Sequence, residues 1–332
     1  MKITSKKVDE LNRVLTVNVA AEDYAESRRK KLNELKRRAE MPGFRKGMVP
    51  MSLIEKMYGE RTLGECVNDA VASAVDEYLK KEKFDVVGQP LPTEDNPDRE
   101  WKAGNDFTFT FDLALNPVVS FEVEKKDEVP FYNITVSADE KKKYAESLRK
   151  FDESREESSV KSEEEYDKMA QENLTARYNE SAEFRFNKDV RDFYVKKSGI
   201  VLPEKFLRRW LAVAGGEKMK DEDIDREFPA FLEDYKWQRV LLFLLDKYKI
   251  KIKDSDLKEE AGNYARYQLS MYGMMEPQKE ILENVTKNVL NDSGMIDRLV
   301  ENLQNRKVIE ALKAEITVKT KKISSDKFRE LK

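Results

Sequence analysis

The sequence predicts an α+β fold, in which an N-terminal α+β domain is followed by an elongated, all-α C-terminal body. Three observations support this prediction. Apolar and polar residues alternate from Phe107 to Leu115, which is the two-residue period of a half-buried strand. Residues 139–183 contain no Gly and no Pro, and helical spacing continues from there nearly to the end. Charged residues make up 38% of the 332 residues, which indicates long helices with a large wetted surface.

The N-terminal domain begins with a strand followed by two helices. Apolar residues alternate over 15–19, which predicts the strand. A strongly basic helix follows over about 23–40, and Pro42 and Gly43 end it. A second helical stretch over about 51–83, with a break near Gly59, carries apolar residues at helical spacing that should face a sheet. These apolar residues are Val67, Val71, Ala74, Val75 and Tyr78.

Three further strands are expected before the chain becomes helical. A short strand over 84–87 leads into a long connection rich in Gly and Pro. The strand over 107–115 carries the clearest alternation in the chain, and another strand is expected over 129–136. Helices packed on an antiparallel sheet therefore make up the first 115 or so residues.

The C-terminal body is predicted to be a series of helices. The very polar run 153–165 is interpreted as a linker or a solvated helix, and Pro203 sits at the start of the next helix. The segment 228–251 has too many apolar residues for one stripe, so we expect it at the centre of the body. Helical spacing continues over 254–313, and an extended tail is predicted over 316–323.

The composition excludes several classes of site. The chain has no histidine and one cysteine, which excludes a zinc site, a nucleophile–histidine pair and an intrachain disulfide. It has no Gly-Lys-Ser/Thr phosphate loop, and we expect no cofactor, no metal ion and no catalytic residue. Cys66 is expected to be a small, buried apolar filler.

Charge is unevenly distributed along the chain. The net charge is −3, but the first 50 residues carry +6 and the others −9, which indicates an anionic partner for the N-terminal part. No apolar run approaches 18 residues, so no membrane span is expected. Charged residues follow the first few positions, where a signal peptide would have an apolar stretch, and we therefore expect a cytoplasmic protein.

The segment 43–50 has the composition of an exposed turn between two helices. It reads Gly-Phe-Arg-Lys-Gly-Met-Val-Pro. Gly43 and Gly47 permit positive φ, so the chain can turn sharply there. Pro50 stiffens the exit from the loop and suits a helix start.

One aromatic residue and two cations stand between those glycines. If both flanks turn away, Phe44 cannot reach a core easily, and an exposed Phe beside Arg45 and Lys46 is typical of a docking tip. In such a tip the cations meet phosphates or carboxylates and the ring fills an apolar pocket. The alternative is an ordinary helix–helix turn with Phe44 folded inward.

The pattern Gly-Phe-Arg-x-Gly-x-x-Pro at 43–50 resembles the ribosome-docking signature of trigger factor, a bacterial nascent-chain chaperone family. From average residue frequencies, five fixed positions match by chance about once in a million starting points, so the motif is specific. The resemblance extends over nearly all of the chain apart from the middle. Further similar stretches are Met57-Tyr58-Gly59, Gly88-Gln89-Pro90, the strand 107–115 with Asn116-Pro117, and, more loosely, 250–268 and 306–323.

The resemblance implies a chaperone docked at the exit of the ribosomal tunnel, in contact with a large-subunit protein and rRNA. Carried over residue by residue, the contact triplet is Phe44, Arg45 and Lys46, and the loop is shaped by Gly43, Gly47 and Pro50. The basic helix over 23–40 either adds phosphate contacts or is a solvated face. The resemblance also implies links to protein export and cell division, and a homodimer away from the ribosome.

The chain departs from the family pattern in its middle. Family members usually carry a prolyl isomerase domain of the FKBP kind, which needs roughly 100 residues and Gly-rich turns. The stretch 137–183 has no Gly, no Pro and few apolar residues, so we predict no prolyl isomerase activity. The expected domains are 1–115 for ribosome binding, 116–162 as a linker and polar helical segment, and 163–332 as the α-helical substrate-binding domain.

The family mechanism is ATP-independent holding of nascent or unfolded chains in a cradle with two helical arms. The resemblance places these arms at about 254–276 and 278–313. Flexible Met side chains adapt to varied apolar partners, so an arm end rich in Met is a candidate client contact. The alternative is packing between the arms. The candidate residues are Met271, Tyr272, Met274 and Met275.

Three other functions stay open at this point. A prolyl isomerase with a diverged centre would turn over a prolyl peptide. A ribosome-independent or periplasmic holding chaperone would not use the loop 43–50. A simple RNA-binding factor would use the basic N-terminal part, with steep salt dependence and no need for Phe44.

Overall fold

The computed structural model describes residues 1–94, 100–154, 161–216 and 220–331, and they separate into two compact units. The first unit comprises Met1–Val118 with Val201–Leu232, and the second comprises Val119–Ile200 with Glu233–Lys332. This division differs from the predicted boundaries, because residues 201–232 join the first unit. The assignment of ribosome binding and substrate binding to separate domains therefore stays a prediction.

The first unit contains a four-stranded antiparallel sheet with the strand order β1-β2-β4-β3. Val17 of β2 lies opposite Phe109 of β4, and both side chains are buried. This confirms the two strands that the alternation predicts. The strands are β1 Lys2–Lys7, β2 Asn12–Val19, β3 Leu91–Pro92 and β4 Phe107–Ala114.

One strand prediction in this unit is wrong, and the first strand of the sheet was missed. The strand expected over 84–87 is reduced to a single bridge between Val86 and Leu115, because Lys83 and Gly88 both have positive φ and leave too few extended residues. Strand β1 was not predicted, since Ile3 is its one strongly apolar residue and the strand is stabilised by pairing with β2.

Two helices, α1 Ala21–Arg38 and α2 Met51–Glu82, pack against each other in the first unit. The predicted break near Gly59 was wrong, because α2 is continuous through that residue. A Cβ added at Gly59 would lie 3.3 Å from the Arg28 guanidinium of α1. The glycine therefore permits a close approach between the two helices rather than ending one. The predicted burial of Cys66 is confirmed.

Helix α5, Glu204–Gly215, explains why residues 201–232 belong to the first unit. The Arg209 guanidinium donates to the Asp112 carboxylate of β4 at 2.6 Å and to the Pro92 carbonyl oxygen at 3.0 Å. The Trp210 ring lies directly over Gly88, where a Cβ would come within 2.2 Å of the indole Nε1. Helix α6, Asp221–Lys247, follows α5 in the chain.

The second unit is helical apart from a two-stranded parallel sheet. The predicted strand over 129–136 and the predicted extended tail pair with each other, with Val129 opposite Val318. The strands are β5 Glu128–Thr135 and β6 Thr317–Ser324. The other helices are α3 Ala138–Glu153, α4 Glu163–Ser198, α7 Asp254–Met271, α8 Lys279–Asn291, α9 Ser293–Glu315 and α10 Ser325–Arg329. Part of the polar run 153–165 lies outside the described residues.

The largest core of the second unit forms around α4, α6 and α9. Trp237 of α6 is buried there, and its indole N–H donates to the Asn305 side-chain oxygen at 2.7 Å. Every fourth residue of helix α4 is buried, and these residues form a ridge along one side of the helix. The first half of α4 packs on α3, and the second half packs on β5. The ridge consists of Tyr166, Ala170, Leu174, Tyr178, Ala182, Phe186, Val190 and Tyr194.

A buried carboxylate joins β5 to α4 in this unit. Asp127 accepts from the Lys197 ammonium at 2.6 Å, from the Tyr194 hydroxyl at 3.1 Å and from the Glu124 backbone N–H at 3.0 Å. Burial opposes its ionisation, but these hydrogen bonds prevail and lower the pKa of the Asp127 carboxyl below its ordinary value. In the described part of the chain, no helix combines the length and apolar character that a bilayer span requires.

Candidate functional site

The segment 43–50 lies where the hairpin of α1 and α2 turns. Helix α1 ends at Arg38, the N–H of the following Ala39 donates to the Leu35 carbonyl oxygen at 2.8 Å, and α2 begins after Pro50. The proline suits this position because the first turn of a helix needs no donor from it. We call the segment Gly43–Pro50 the tip loop.

Two consecutive tight turns shape the tip loop. The Phe44 N–H donates to the Met41 carbonyl oxygen at 3.0 Å, and the Met48 N–H donates to the Arg45 carbonyl oxygen at 2.9 Å. Gly43 and Gly47 occupy the third position of these turns with φ of +89° and +79°. Positive φ at that position is the requirement of a type II turn, which glycine meets without strain. The two predicted glycine roles therefore match the backbone geometry.

A small apolar core fixes the base of the tip loop. Val49 is fully buried between Leu32 of α1 and Ile54 of α2, in a cluster separate from the core of the sheet. The anchor holds the exit of the loop against both helices. Sequence reasoning missed Val49, because the pattern that marks the loop does not show which of its apolar residues turns inward.

The Phe44 side chain points to solvent rather than into this core. It is 41% exposed, which disfavours the alternative of a ring folded inward. Met48, which the sequence analysis did not select, is 70% exposed in the second turn. The signal that could have found it is its place directly after Gly47, on the outer side of a turn. The tip loop thus presents two apolar side chains to water.

The two cations of the tip loop differ in their partners. The Lys46 ammonium lies 2.6 Å from the Glu40 carboxylate, and both side chains are exposed. Arg45 is exposed and makes no hydrogen bond or ion pair with other side chains in the part of the chain that the structure covers. An exposed pair such as Lys46–Glu40 stabilises little, so both cations are accessible to an anionic partner.

The basic residues of α1 differ along the helix in whether they have a carboxylate partner. In the middle of the helix, Lys31 lies 2.7 Å from the Glu65 carboxylate, which raises the pKa of the Lys31 ammonium, and Lys30 pairs with Glu26. In the last turn, the cations have no carboxylate partner among the described residues. They complement the negative end of the helix dipole and leave net positive charge beside the tip loop. These cations are Lys36, Arg37 and Arg38.

The second candidate region is the C-terminal end of α7. The Gly273 N–H donates to the Ser270 carbonyl oxygen, and the Met274 N–H donates to the Leu269 carbonyl oxygen. With φ of +83° at Gly273, this pair of bonds is a Schellman motif, which ends the helix and turns the next residues outward. The glycine thus explains why a run of large apolar residues is not folded back onto α7.

All four predicted contact residues at the end of α7 are exposed, at 42% to 79%. This exposure disfavours the alternative in which they pack between the helices. Tyr267 and Ile281 are also exposed near this end, although the sequence analysis did not select them. We call this set the α7 patch. It consists of Tyr267, Met271, Tyr272, Met274, Met275 and Ile281.

Neither region has the donor set of a metal site in the described part of the chain. In residues 1–94, 100–154, 161–216 and 220–331, no three His, Cys, Asp or Glu side chains are grouped to hold a metal ion. The tip loop and the α7 patch both offer exposed apolar surface, and the tip loop also presents Arg45, which has no ion-pair partner among the described residues. Exposed apolar surfaces of this kind are typical of contacts with macromolecules.

Two family models match the chain. Residues 1–148 match the model described as "Bacterial trigger factor protein (TF)", and residues 182–332 match "Probable trigger factor, C-terminal domain". The two matched ranges leave residues 149–181 between them, and the described part of this range contains the end of α3 and the first half of α4.

Curated relatives carry the same name. A trigger factor of Rhodobacter capsulatus is 31% identical over 141 residues, which cover 42% of this chain and 31% of the relative. One from Jannaschia sp. is 35% identical over 130 residues, covering 39% and 27%, and one from Treponema denticola is 32% identical over 138 residues, covering 41% and 30%. The chain thus aligns with about a third or less of the length of each relative.

One solved structure resembles the whole fold. It is described as "Promiscuous Substrate Recognition in Folding and Assembly Activities of the Trigger Factor Chaperone". The likeness covers 94% of this chain and 99% of that one, with a TM-score of 0.54 and 15% sequence identity. At this identity the likeness supports the fold, which is the predicted α+β arrangement with a helical C-terminal body.

Proposed function

Because the chain belongs to the trigger factor family, we propose that it is an ATP-independent chaperone that docks at the ribosomal exit tunnel through its tip loop. It holds nascent or unfolded chains on exposed apolar surface, which includes the α7 patch. Its partners are the protein and rRNA of the large subunit and the unfolded chains themselves, and it acts in the cytoplasm.

The observation that carries the docking proposal is the exposure of Phe44 between two tight turns. An aromatic ring held out on a rigid loop loses little conformational freedom on binding, which is typical of an anchor residue in an interface. Arg45 beside it lacks an ion-pair partner in the described chain, so it meets a phosphate or carboxylate without first breaking a bond. The unpaired cations at the end of α1 add long-range attraction to rRNA.

Ribosome co-sedimentation tests the docking proposal. The triple variant Phe44→Ala, Arg45→Ala, Lys46→Ala should bind ribosomes at least about tenfold more weakly, because anchor residues each contribute more than about 1 kcal/mol. All three side chains are exposed, so the fold should survive, as circular dichroism would show.

A matched control is available in α3. Arg149, Lys150 and Phe151 are the same three residue types in a row, and all are exposed in the second unit. Replacing these three by alanine should leave sedimentation unchanged. If the tip-loop variant sediments like the wild type, or if the α3 variant loses as much binding, the docking proposal is wrong.

The proposal includes the absence of prolyl isomerase activity. The residues 137–183, where the family usually inserts that domain, are occupied in their described part by α3 and the first part of α4. Turnover of a prolyl peptide above the uncatalysed rate would contradict this part of the proposal and favour a diverged isomerase.

Binding to naked RNA is the second candidate function, favoured by the unpaired cations at the end of α1. It predicts affinity for RNA that falls steeply with salt and does not change in Phe44→Ala. The docking proposal instead predicts that Phe44→Ala weakens ribosome binding at constant salt.

A further inference from the structure

Phe184 is an exposed aromatic residue that neither the docking loop nor the α7 patch accounts for. It lies in the interior of α4 and is 75% exposed. Two residues along the helix, Phe186 belongs to the buried ridge, so the two rings point to opposite faces. The exposure of Phe184 is therefore a property of its helix face and not of a frayed end.

Phe184 forms one wall of a groove between α4 and the C-terminal helix α10. The groove has a volume of about 580 Å³, which lies within the range of small-ligand sites. Phe328 and Leu331 line its other side. The Phe328 ring contacts Tyr132 of β5 edge-on, with ring centroids 6.0 Å apart, which holds that wall in place. The apolar part of the lining therefore suits a bulky apolar side chain.

The rim of the groove is mainly cationic. Arg177 and Lys188 lie on the same face of α4 as Phe184, seven residues before it and four after it. No ion pair joins either head group to another side chain in the described residues. Arg185 also lines the groove but donates to Asp189 at 2.8 Å, and Glu180 is the one carboxylate among the described residues of the lining.

We propose that this groove binds an extended segment of an unfolded chain in which a bulky apolar residue is flanked by aspartate or glutamate. The apolar side chain enters between Phe184 and Phe328, and the flanking carboxylates pair with Arg177 and Lys188. Charge complementarity selects this occupant, because a basic segment would meet two unpaired cations. The inference rests on the proposed holding function and names a class of client segment for a place separate from the α7 patch.

Fluorescence anisotropy with the whole chain tests the specificity. The probe is a labelled ten-residue peptide with one phenylalanine and two aspartates on each side of it. One control peptide has lysines in place of the aspartates, and another has alanine in place of the phenylalanine. The aspartate peptide should bind at least about tenfold more tightly than either control at low salt. Equal binding of the lysine peptide would overturn the proposal.

Variants of the groove residues then test whether the peptide binds in the groove. Phe184→Ala should weaken binding of the aspartate peptide about tenfold, and Arg177→Glu with Lys188→Glu should reverse the preference between aspartate and lysine. Phe151→Ala removes another exposed phenylalanine of the second unit and should have no effect. All these side chains are exposed, so circular dichroism should match the wild type. If Phe184→Ala binds like the wild type, the groove is not the site.

Suppression of aggregation of an unfolded protein separates this inference from the proposed function. If the chain suppresses aggregation but Phe184→Ala does not change peptide binding, the groove inference is wrong and the holding function stands. If the chain binds the aspartate peptide through Phe184 but does not suppress aggregation, the holding function is wrong and the groove stands as a peptide site.

Discussion

Gly88 shows how one residue determines a contact between distant parts of the chain. It has φ of +60°, and a Cβ at this position would meet the Trp210 indole of α5 at 2.2 Å. The sequence marks Gly88 as part of a turn through the Gly-Gln-Pro run. It does not show that the missing side chain makes room for a tryptophan 122 positions later, because that depends on tertiary packing.

Replacing Gly88 by alanine should lower the free energy of unfolding by about 1–3 kcal/mol, from backbone strain and the clash with Trp210. In a Trp210→Ala background the clash is gone, so the same replacement should cost only the strain. A double-mutant cycle followed by urea unfolding measures the difference. Equal costs in the two backgrounds would show that Trp210 does not pack on Gly88.

Asp127 is a second residue whose role depends on its surroundings. Its folded pKa is lowered, so its contribution to stability is present above the unfolded value of about 3.9 and is lost as pH falls through the folded value. Asp127→Asn should therefore cost about 1.5–3 kcal/mol at pH 7, because Lys197 loses a charged partner.

The stability of the wild type should fall more steeply between about pH 5 and pH 2 than that of Asp127→Asn. Urea midpoints measured across this range check the difference. Parallel pH profiles for the two proteins would mean that Asp127 is not a source of acid sensitivity.

At the scale of elements, the sequence predicted the strands and helices whose burial follows a fixed period. It did not predict features that depend on contacts between distant parts of the chain. Strands β2 and β4 and the helical series were predictable because their burial alternates with a fixed period. The two glycines of the tip loop were predictable because positive φ is a local property. The inward turn of Val49 was not, because its burial depends on Leu32 and Ile54 from two different helices.

The hairpin of α1 and α2 has its own small core, which makes a further prediction. Val49→Ala should remove about 1–3 kcal/mol from the packing of the tip loop and increase hydrogen exchange over residues 41–50. It should also weaken ribosome binding, since a mobile loop loses more freedom on docking.

Val67→Ala is the matched control, because Val67 is equally buried but lies in the core of the sheet. It should lower global stability and leave exchange at 41–50 largely unchanged. If both variants loosen the tip loop equally, the two cores are not independent.

At the scale of the whole molecule, docking and holding are assigned to surfaces on different units. The tip loop belongs to Met1–Val118 of the first unit, and the α7 patch belongs to Glu233–Lys332 of the second. The sequence predicted both regions from composition and resemblance, and the exposure of their side chains agrees with contact surfaces. The two proposed functions therefore use different surfaces.

Replacing Met271, Tyr272, Met274 and Met275 by serine should therefore impair one function only. The exposed apolar area falls, so suppression of aggregation should drop severalfold while ribosome co-sedimentation is retained. The same assays on the tip-loop triple variant should give the reverse pattern. Loss of ribosome binding in the serine variant, with the fold intact, would show that the two surfaces do not act separately.

The most direct test of the central claim is photo-crosslinking from the tip loop. A photoreactive phenylalanine analogue in place of Phe44 should crosslink to large-subunit components at the tunnel exit, while the same analogue in place of Phe151 should not. Both positions are exposed, so the comparison holds accessibility roughly constant. An absence of ribosomal crosslinks from position 44, or equal crosslinks from both positions, would contradict the account.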